Sequence, residues 1–271
     1  MLLAPTSADA VPFVATPFEV VQAMLEVARV GPSDTVMDLG SGDGRIVIVA
    51  ADKYGARGVG IERNAELVRT SMENARRAGV EDKVEFRQQD LFETDLRGVS
   101  VLTMYLLPTV NLALRLKILE QLAPGARVVS HEFDMGDWPP DEHLVVGGAD
   151  VYMWVVPANA AGVWRMTIPG DGDAGDATAE IEIRQRFQKV TALNRGKEPP
   201  FTIDDAELVG NELSLDVVDR KTGERRRFTG RVGASAIQGS FADGREAHLD
   251  RLRAGKISTD RAEASTERAA R

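Results

Sequence analysis

The stretch Val36-Met37-Asp38-Leu39-Gly40-Ser41-Gly42-Asp43-Gly44-Arg45 decides how the chain is read. Residues 35–39 before the glycines form a short, mostly apolar run of strand length. Residues 45–52 after them are rich in Ile, Val and Ala and read as a helix. Glycines 40, 42 and 44 lie in the turn between, where a residue without a Cβ lets the backbone approach a ligand closely. In an open parallel sheet such a turn lies at the carboxyl ends of the strands, where ligands bind.

Working outward, the same alternation continues in both directions. Upstream, Thr16 and Pro17 open a helix, Thr16 as its cap and Pro17 in its first turn. Val21, Met24, Leu25 and Ala28 fall on one face of it, and Gly31-Pro32 stops it. Downstream, strands are expected at 58–61, 84–87, 99–105 and 127–130. Helices are expected at 64–78, capped by Asn64 and ended by Gly79, and at 111–122. This order predicts a parallel sheet with helices on both faces. Residues 144–146 and 151–156, with no helix between them, are expected to close it with an antiparallel edge.

Past residue 162 the pattern is strand-like throughout, at 163–168, 179–190, 212–218 and 226–232. Residues 254–271 carry almost no apolar side chains and read as a disordered tail. The expected fold class is therefore α/β, a Rossmann-like sheet followed by a small antiparallel β sheet or barrel. The expected domains are 1–158, 162–253 and the tail.

The loop's chemistry narrows its ligand. Gly40-x-Gly42-x-Gly44 is followed at once by Arg45, so it is not the G-x-G-x-x-G form that seats a pyrophosphate on a helix N-terminus. Asp38 and Asp43 repel phosphate but tolerate an amino-acid ligand bearing ammonium and sulfonium charges. That favours S-adenosylmethionine (SAM) over NAD. Glu62 follows the second strand, 22 residues after Gly40, and an acid there accepts from ribose hydroxyls with either cofactor. Asp90, after the third strand, can accept from the adenine amino group while the Leu91 backbone donates to the ring. Alternatively, Asp90 caps the short turn that follows it. Ser41 and Arg63 sit beside these groups and complete the candidate cofactor set.

Two further segments are candidates for the acceptor side. Tyr105 ends the fourth strand, where it can orient an acceptor amine or help remove its proton. The segment His131-Glu132-Phe133-Asp134-Met135-Gly136-Asp137-Trp138-Pro139-Pro140-Asp141-Glu142 follows the fifth strand; Glu132 and Asp134 are the carboxylates placed to attract a lysine ammonium. Alternatively, this is a solvated loop with Trp138 packed down.

Composition excludes several classes. The 271 residues are 43% hydrophobic and 28% charged, an ordinary globular balance. With no cysteine, disulfides, thiolate metal sites and cysteine nucleophiles are ruled out, and the three histidines have no metal-ligand spacing, so no metal is expected. All of the net charge of −9 falls in residues 1–158, with 14 basic against 23 acidic residues; the remainder carries 19 of each. Such a field opposes nucleic acid and favours a cationic substrate such as a lysine-bearing protein. No apolar run reaches the length of a transmembrane helix. Ala8-Asp9-Ala10 has the form of a signal-peptidase site but lacks the charged start and apolar core; a cytoplasmic location, where SAM is found, is expected, with a remnant or truncated signal peptide as the alternative.

Four segments carry a family resemblance: Pro12-Phe13-Val14-Ala15-Thr16-Pro17, the run from Asp38 to Ile48, Gly60-Ile61-Glu62 and Asp90-Leu91-Phe92. Together they resemble the seven-strand, class I lysine methyltransferases, in particular those acting on the mitochondrial ATP-synthase c-subunit and the adenine-nucleotide carrier, and their bacterial relatives. The resemblance spans residues 11–140. It implies SAM binding by Asp38, Gly40, Gly42, Glu62 and Asp90, with Phe13, Thr16 and Pro17 lining the pocket. It implies N-methylation of a protein lysine. Two features depart from it: Tyr105-Leu106-Leu107-Pro108 differs from the eukaryotic members at the fourth strand, and the β-rich extension lies outside it. A small-molecule methyltransferase, a non-catalytic SAM-binding adaptor and an NAD oxidoreductase remain alternatives.

Overall fold

The computed structural model describes residues 14–170 and 175–259. The first half alternates as α1 (Phe18–Val27), β1 (Thr35–Leu39), α2 (Arg45–Tyr54), β2 (Arg57–Glu62), α3 (Ala65–Ala78), β3 (Val84–Gln88), β4 (Val101–Met104), α4 (Pro108–Gln121) and β5 (Arg127–His131). The hairpin β6 (Glu142–Val146) and β7 (Ala149–Val155) follows. Eight strands then run without a helix: β8 (Gly162–Ile168), β9 (Ala177–Arg186), β10 (Lys189–Arg195), β11 (Phe201–Val209), β12 (Glu212–Asp219), β13 (Arg225–Val232), β14 (Ala236–Phe241) and β15 (Glu246–Ala254).

The first sheet has the order β3-β2-β1-β4-β5-β7-β6. β1 pairs in parallel with both β2 and β4, and β2 with β3, while β6 and β7 are antiparallel. After β1 the chain builds outward to β3, then returns to lay β4 on the other side of β1. The connections therefore diverge at the end of β1, the position at which open α/β sheets bind ligands. The four apolar-flanked positions Val36 to Leu39 are all buried, as a central parallel strand covered on both faces requires. α1 buries Val20, Val21, Met24 and Leu25, and α2 buries Ile46, Val47, Ala50 and Ala51. Asn64 caps α3 by accepting from the Glu66 amide at 2.8 Å.

Thr16 does not cap α1. Pro17 occupies the N-cap position with no side-chain cap bond, and the Thr16 hydroxyl is used elsewhere, as described below. α4 begins at Pro108, three residues before the expected start, because proline fits a first helical turn.

The eight later strands form one antiparallel sheet in the order β10-β9-β8-β15-β14-β13-β12-β11. Its two edge strands are bridged by a single side chain. The Asn194 amide donates to Phe201 O and accepts from Ile203 N, both at 3.0 Å. The interior is filled by fully buried Trp164, Ile181, Leu213, Leu215, Phe228, Ile237 and Leu249, as expected of a small eight-stranded closed sheet. The stretch 179–190, expected to be one strand, is two. The chain reverses at Phe187, whose φ is +52°, and Lys189 pairs back onto Arg186. No glycine, proline or asparagine marks that turn. Strands β11, β14 and β15 are additions to the sequence reading. The stretch read as a tail starts inside β15, and Ser258 N donates to Gln185 O at 2.9 Å. Residues 260–271 lie outside the described part.

Two compact units emerge, and each is discontinuous in sequence. Of the described residues, one takes those up to Leu114, Val128–Asp134 and Glu142–Met153. The other takes Arg115–Arg127, Met135–Asp141 and the described residues from Trp154 onward. Within the second, fully buried Trp138 stacks on Phe187 with centroids 5.6 Å apart and planes 7° apart. The Trp138 indole N–H donates to Gln188 Oε1 at 3.0 Å. Trp138 is thus packed down. Among the described residues no helix is long and apolar enough to cross a membrane.

Candidate active site

The glycine loop leaves β1 with Gly40, Gly42 and Gly44 all at positive φ, 77°, 54° and 81°. A side chain would be strained at each. The loop is clamped to the end of β2. Gly40 N and Ser41 N both donate to Ile61 O, at 2.8 and 2.9 Å, and Gly42 N donates to Glu62 Oε2 at 3.1 Å. The other Glu62 oxygen accepts from Asn64 N at 2.8 Å. One carboxylate therefore ties the glycine loop to the start of α3. Two oxygens carry about four lone-pair positions, so acceptor capacity remains.

Asp38 is buried, and its Oδ1 accepts from the Thr103 hydroxyl on neighbouring β4 at 2.8 Å. Burial pushes its carboxyl up to about 7; the Thr103 bond opposes the rise, and Glu62 and Asp43 add to it. Ser41 is also buried, and among the described residues its hydroxyl has no hydrogen-bond partner. Such an orphan is unusual in a native interior. Asp43 and Arg45 form an ion pair at 2.6 Å.

At the next strand ends, Gln89 N donates to Glu62 O at 3.1 Å, so β2 and β3 run out together. Asp90 is exposed, and its Oδ1 accepts from Phe92 N at 2.8 Å. It caps the turn, with its second oxygen left over. Leu91 is half-buried beside it, and Arg63 is exposed past Glu62.

On the opposite side of β1, half-buried Tyr105 packs on His131 with ring centroids 4.0 Å apart, and on Phe133 at 6.4 Å. Burial holds the His131 imidazole below its ordinary pKa, with Glu132 acting the other way. Glu132 is half-buried at φ +69° and its amide donates to Asp150 O at 2.7 Å. Asp134 is exposed. Asn111 of α4 fixes this turn by donating to Ser130 Oγ and Phe133 O, both at 3.1 Å. Asp137, farther along the loop, is occupied. It pairs with Arg115 and, at 2.6 Å, with Arg186. Both of its oxygens are therefore committed within the chain.

Thr16 reaches this wall from the other end of the sequence. Its hydroxyl lies 3.1 Å from His131 Nδ1, and its carbonyl accepts from Arg45 Nη1 at 2.8 Å. Phe13 lies outside the described residues. Arg45 breaks the dinucleotide pattern and His131 opens the candidate acceptor segment, but the sequence assigns neither of them a bonding role; Thr103 carries no local signal and becomes visible only through Asp38.

These strand-end residues lie within a segment that matches a family model, the ANTKMT methyltransferase domain, over residues 38–142. A protein-lysine N-methyltransferase of Saccharolobus islandicus (strain REY15A) is 42% identical over 151 residues, which is 54% of this chain and 94% of that protein. The chain belongs to this methyltransferase family. The adenine nucleotide translocase lysine N-methyltransferase of Mus musculus is 37% identical over 56% of this chain and 65% of its own length, so that relative is spanned for less than two thirds. Among solved structures, an RNA methyltransferase from Salinibacter ruber in complex with S-adenosyl-L-homocysteine is 56% identical, with a TM-score of 0.52, over 53% of this chain and 94% of that one. The methyltransferase described here is SAM-dependent and has the class I fold. Its glycine loop, with close backbone approach, an orphaned Ser41 hydroxyl and carboxylates in place of phosphate-binding cations, fits that cofactor.

Proposed function

We propose that this methyltransferase N-methylates a lysine side chain in a protein substrate. The observation that carries the reading is the similarity to the Saccharolobus islandicus protein-lysine N-methyltransferase, 94% of whose length aligns at 42% identity. The chemistry of the β4 and β5 ends agrees with it. Tyr105, His131 and Phe133 offer aromatic faces, which attract an ammonium, and Glu132 and Asp134 add negative charge on the adjoining turn.

In this reading Glu62 accepts from the ribose hydroxyls, Asp90 accepts from the adenine amino group and the Leu91 amide donates to the ring. Arg63 flanks them. Asp38, Gly40, Ser41 and Gly42 hold the amino-acid end, and Phe13 and Thr16 line the pocket. The bound cofactor supplies an electrophilic methyl group. The chain's own task is to present a neutral amine in line with it. Tyr105 orients that amine, while Glu132 and Asp134 draw the cation in before it loses its proton. Residues 1–158 form the methyl-transfer domain in this proposal, and 162–253 a separate β-rich domain. The enzyme acts in the cytoplasm.

A second reading, RNA methylation, is favoured by one observation: the 56% identical Salinibacter ruber protein is described as an RNA methyltransferase. The acidic balance of residues 1–158 weighs against it. Incubation with methyl-labelled SAM and, in parallel, a lysate depleted of RNA and purified total RNA separates the two. Label in a protein band, mapped to methyl-lysine by mass spectrometry, supports the first. Label in RNA alone would overturn it.

A further inference from the structure

Thr16 is buried, yet its hydroxyl neither caps the helix it precedes nor faces water. It meets a histidine 115 residues away. The same residue's carbonyl is gripped by Arg45, whose guanidinium is held from its other side by Asp43, with Nε–Oδ1 at 2.9 Å and Nη2–Oδ2 at 2.6 Å. The Phe18 ring packs 5.1 Å beneath that guanidinium. Asp43 itself is fixed to α3, since Asn74 donates to its carbonyl at 3.0 Å.

These bonds define a path. Arg45 is the first residue of α2, directly after the glycine loop that leaves β1. His131 is the last residue of β5 and packs on Tyr105, just past the end of β4. In the sheet these strands are neighbours in the order β1-β4-β5. The backbone at Thr16 therefore runs across the carboxyl ends of three central strands, pinned on one side to the cofactor loop and on the other to the acceptor wall.

We infer that the segment around Thr16 is a strap over the cofactor cleft, and that Arg45 and His131 are positioning residues that hold it through Thr16. The inference rests on the cofactor placement proposed above. The two pins do different work. Arg45 fixes the strap's backbone to the glycine loop through a planar, bidentate pairing with Asp43 that lysine cannot reproduce. His131 fixes the strap's side chain and, through ring contact, sets Tyr105 against the same segment. A strap ordered in advance spares the cofactor the entropic cost of ordering it on binding. Releasing one pin returns that cost as weaker affinity.

Calorimetric titration of the whole protein with S-adenosylhomocysteine, paired with hydrogen exchange at residues 14–18, tests this. Thr16→Val keeps the shape and removes the hydroxyl; it is expected to weaken binding about fivefold or more, the worth of one hydrogen bond, and to speed exchange in the strap. Thr16→Ser restores the hydroxyl and is expected to bind like wild type, which a mere packing role for the threonine methyl would not produce. Arg45→Lys is expected to weaken binding in the same direction should Thr16→Val fail to fold. Wild-type affinity in both Thr16→Val and Arg45→Lys would overturn the strap, as would loss of binding in Thr16→Ser equal to that in Thr16→Val. Failure of the wild type to bind would instead overturn the cofactor placement and the strap with it.

Discussion

Thr103 donates to Asp38 across the parallel β1–β4 pair, 2.8 Å from hydroxyl to carboxylate, at the point where the sheet's connections diverge. The bond holds a buried acid in a fixed orientation without neutralising it. It opposes, but does not overcome, the burial that pushes the Asp38 carboxyl from 3.8 up to about 7.

A pH dependence follows from that shift. Between pH 3.8 and about 7 the folded protein keeps a proton that the unfolded chain has released, so this group's contribution to stability falls as pH rises through that window and levels off above it. Asp38→Asn should flatten that component. Thermal midpoints of both proteins across the window check it; parallel curves would show that Asp38 does not titrate in this way. In the cofactor placement proposed above, where Asp38 meets the ammonium, S-adenosylhomocysteine binding should tighten as pH rises through about 7, with proton release visible in buffers of different ionisation enthalpy.

Glu62 carries two backbone amides, Gly42 N and Asn64 N. Glu62→Ala leaves both without that acceptor and removes the proposed ribose contact. Affinity for S-adenosylhomocysteine should fall at least about tenfold, on the scale of a charge-assisted hydrogen bond. Calorimetry reads it directly, and an unchanged Kd would remove Glu62 from the cofactor site.

Gly60 sits in the middle of the β2 register opposite Asp38. A Cβ there would stand 2.5 Å from the Phe86 ring and 2.7 Å from Ser41 Oγ. Gly60→Ala should therefore destabilise by about 1–3 kcal/mol, the usual cost of overpacking, and disturb the cofactor loop through Ser41. Urea denaturation with a titration of S-adenosylhomocysteine measures both.

Phe187 is fully buried with the Trp138 ring stacked on it and the Arg115 and Arg186 guanidinium groups 5.3 and 5.5 Å away. Phe187→Ala should cost about 3–5 kcal/mol in the unit that contains it, as truncations of buried aromatics do. Trp138 fluorescence should shift to the red in the folded variant. A variant as stable as wild type would mean that this stack contributes little.

Much of the first sheet was legible because its signals are local. The run from Val36 to Arg45 specifies strand, turn and helix within ten residues, since only glycine tolerates positive φ at 40, 42 and 44 without strain. Asn64 and Gly79 bracket α3 by the same short-range logic. The antiparallel sheet was less legible. At Phe187 a bulky residue takes the turn conformation that usually calls for glycine or asparagine, held there by packing against Trp138, a residue remote in sequence. The pattern of 179–190 alone therefore reads as one strand.

The sequence by itself determined the glycine loop, the acids at successive strand ends and the class of cofactor, because those depend on residue type and on spacing within one βα unit. Only the tertiary structure decided what Thr16, Arg45, Thr103 and His131 do. Thr16 and Thr103 have ordinary local readings, as a helix cap and a strand residue. Their hydroxyls are instead committed to His131 and Asp38, 115 and 65 residues away. Which partner each hydroxyl meets is set by which strand ends the sheet order brings together, not by its neighbours along the chain.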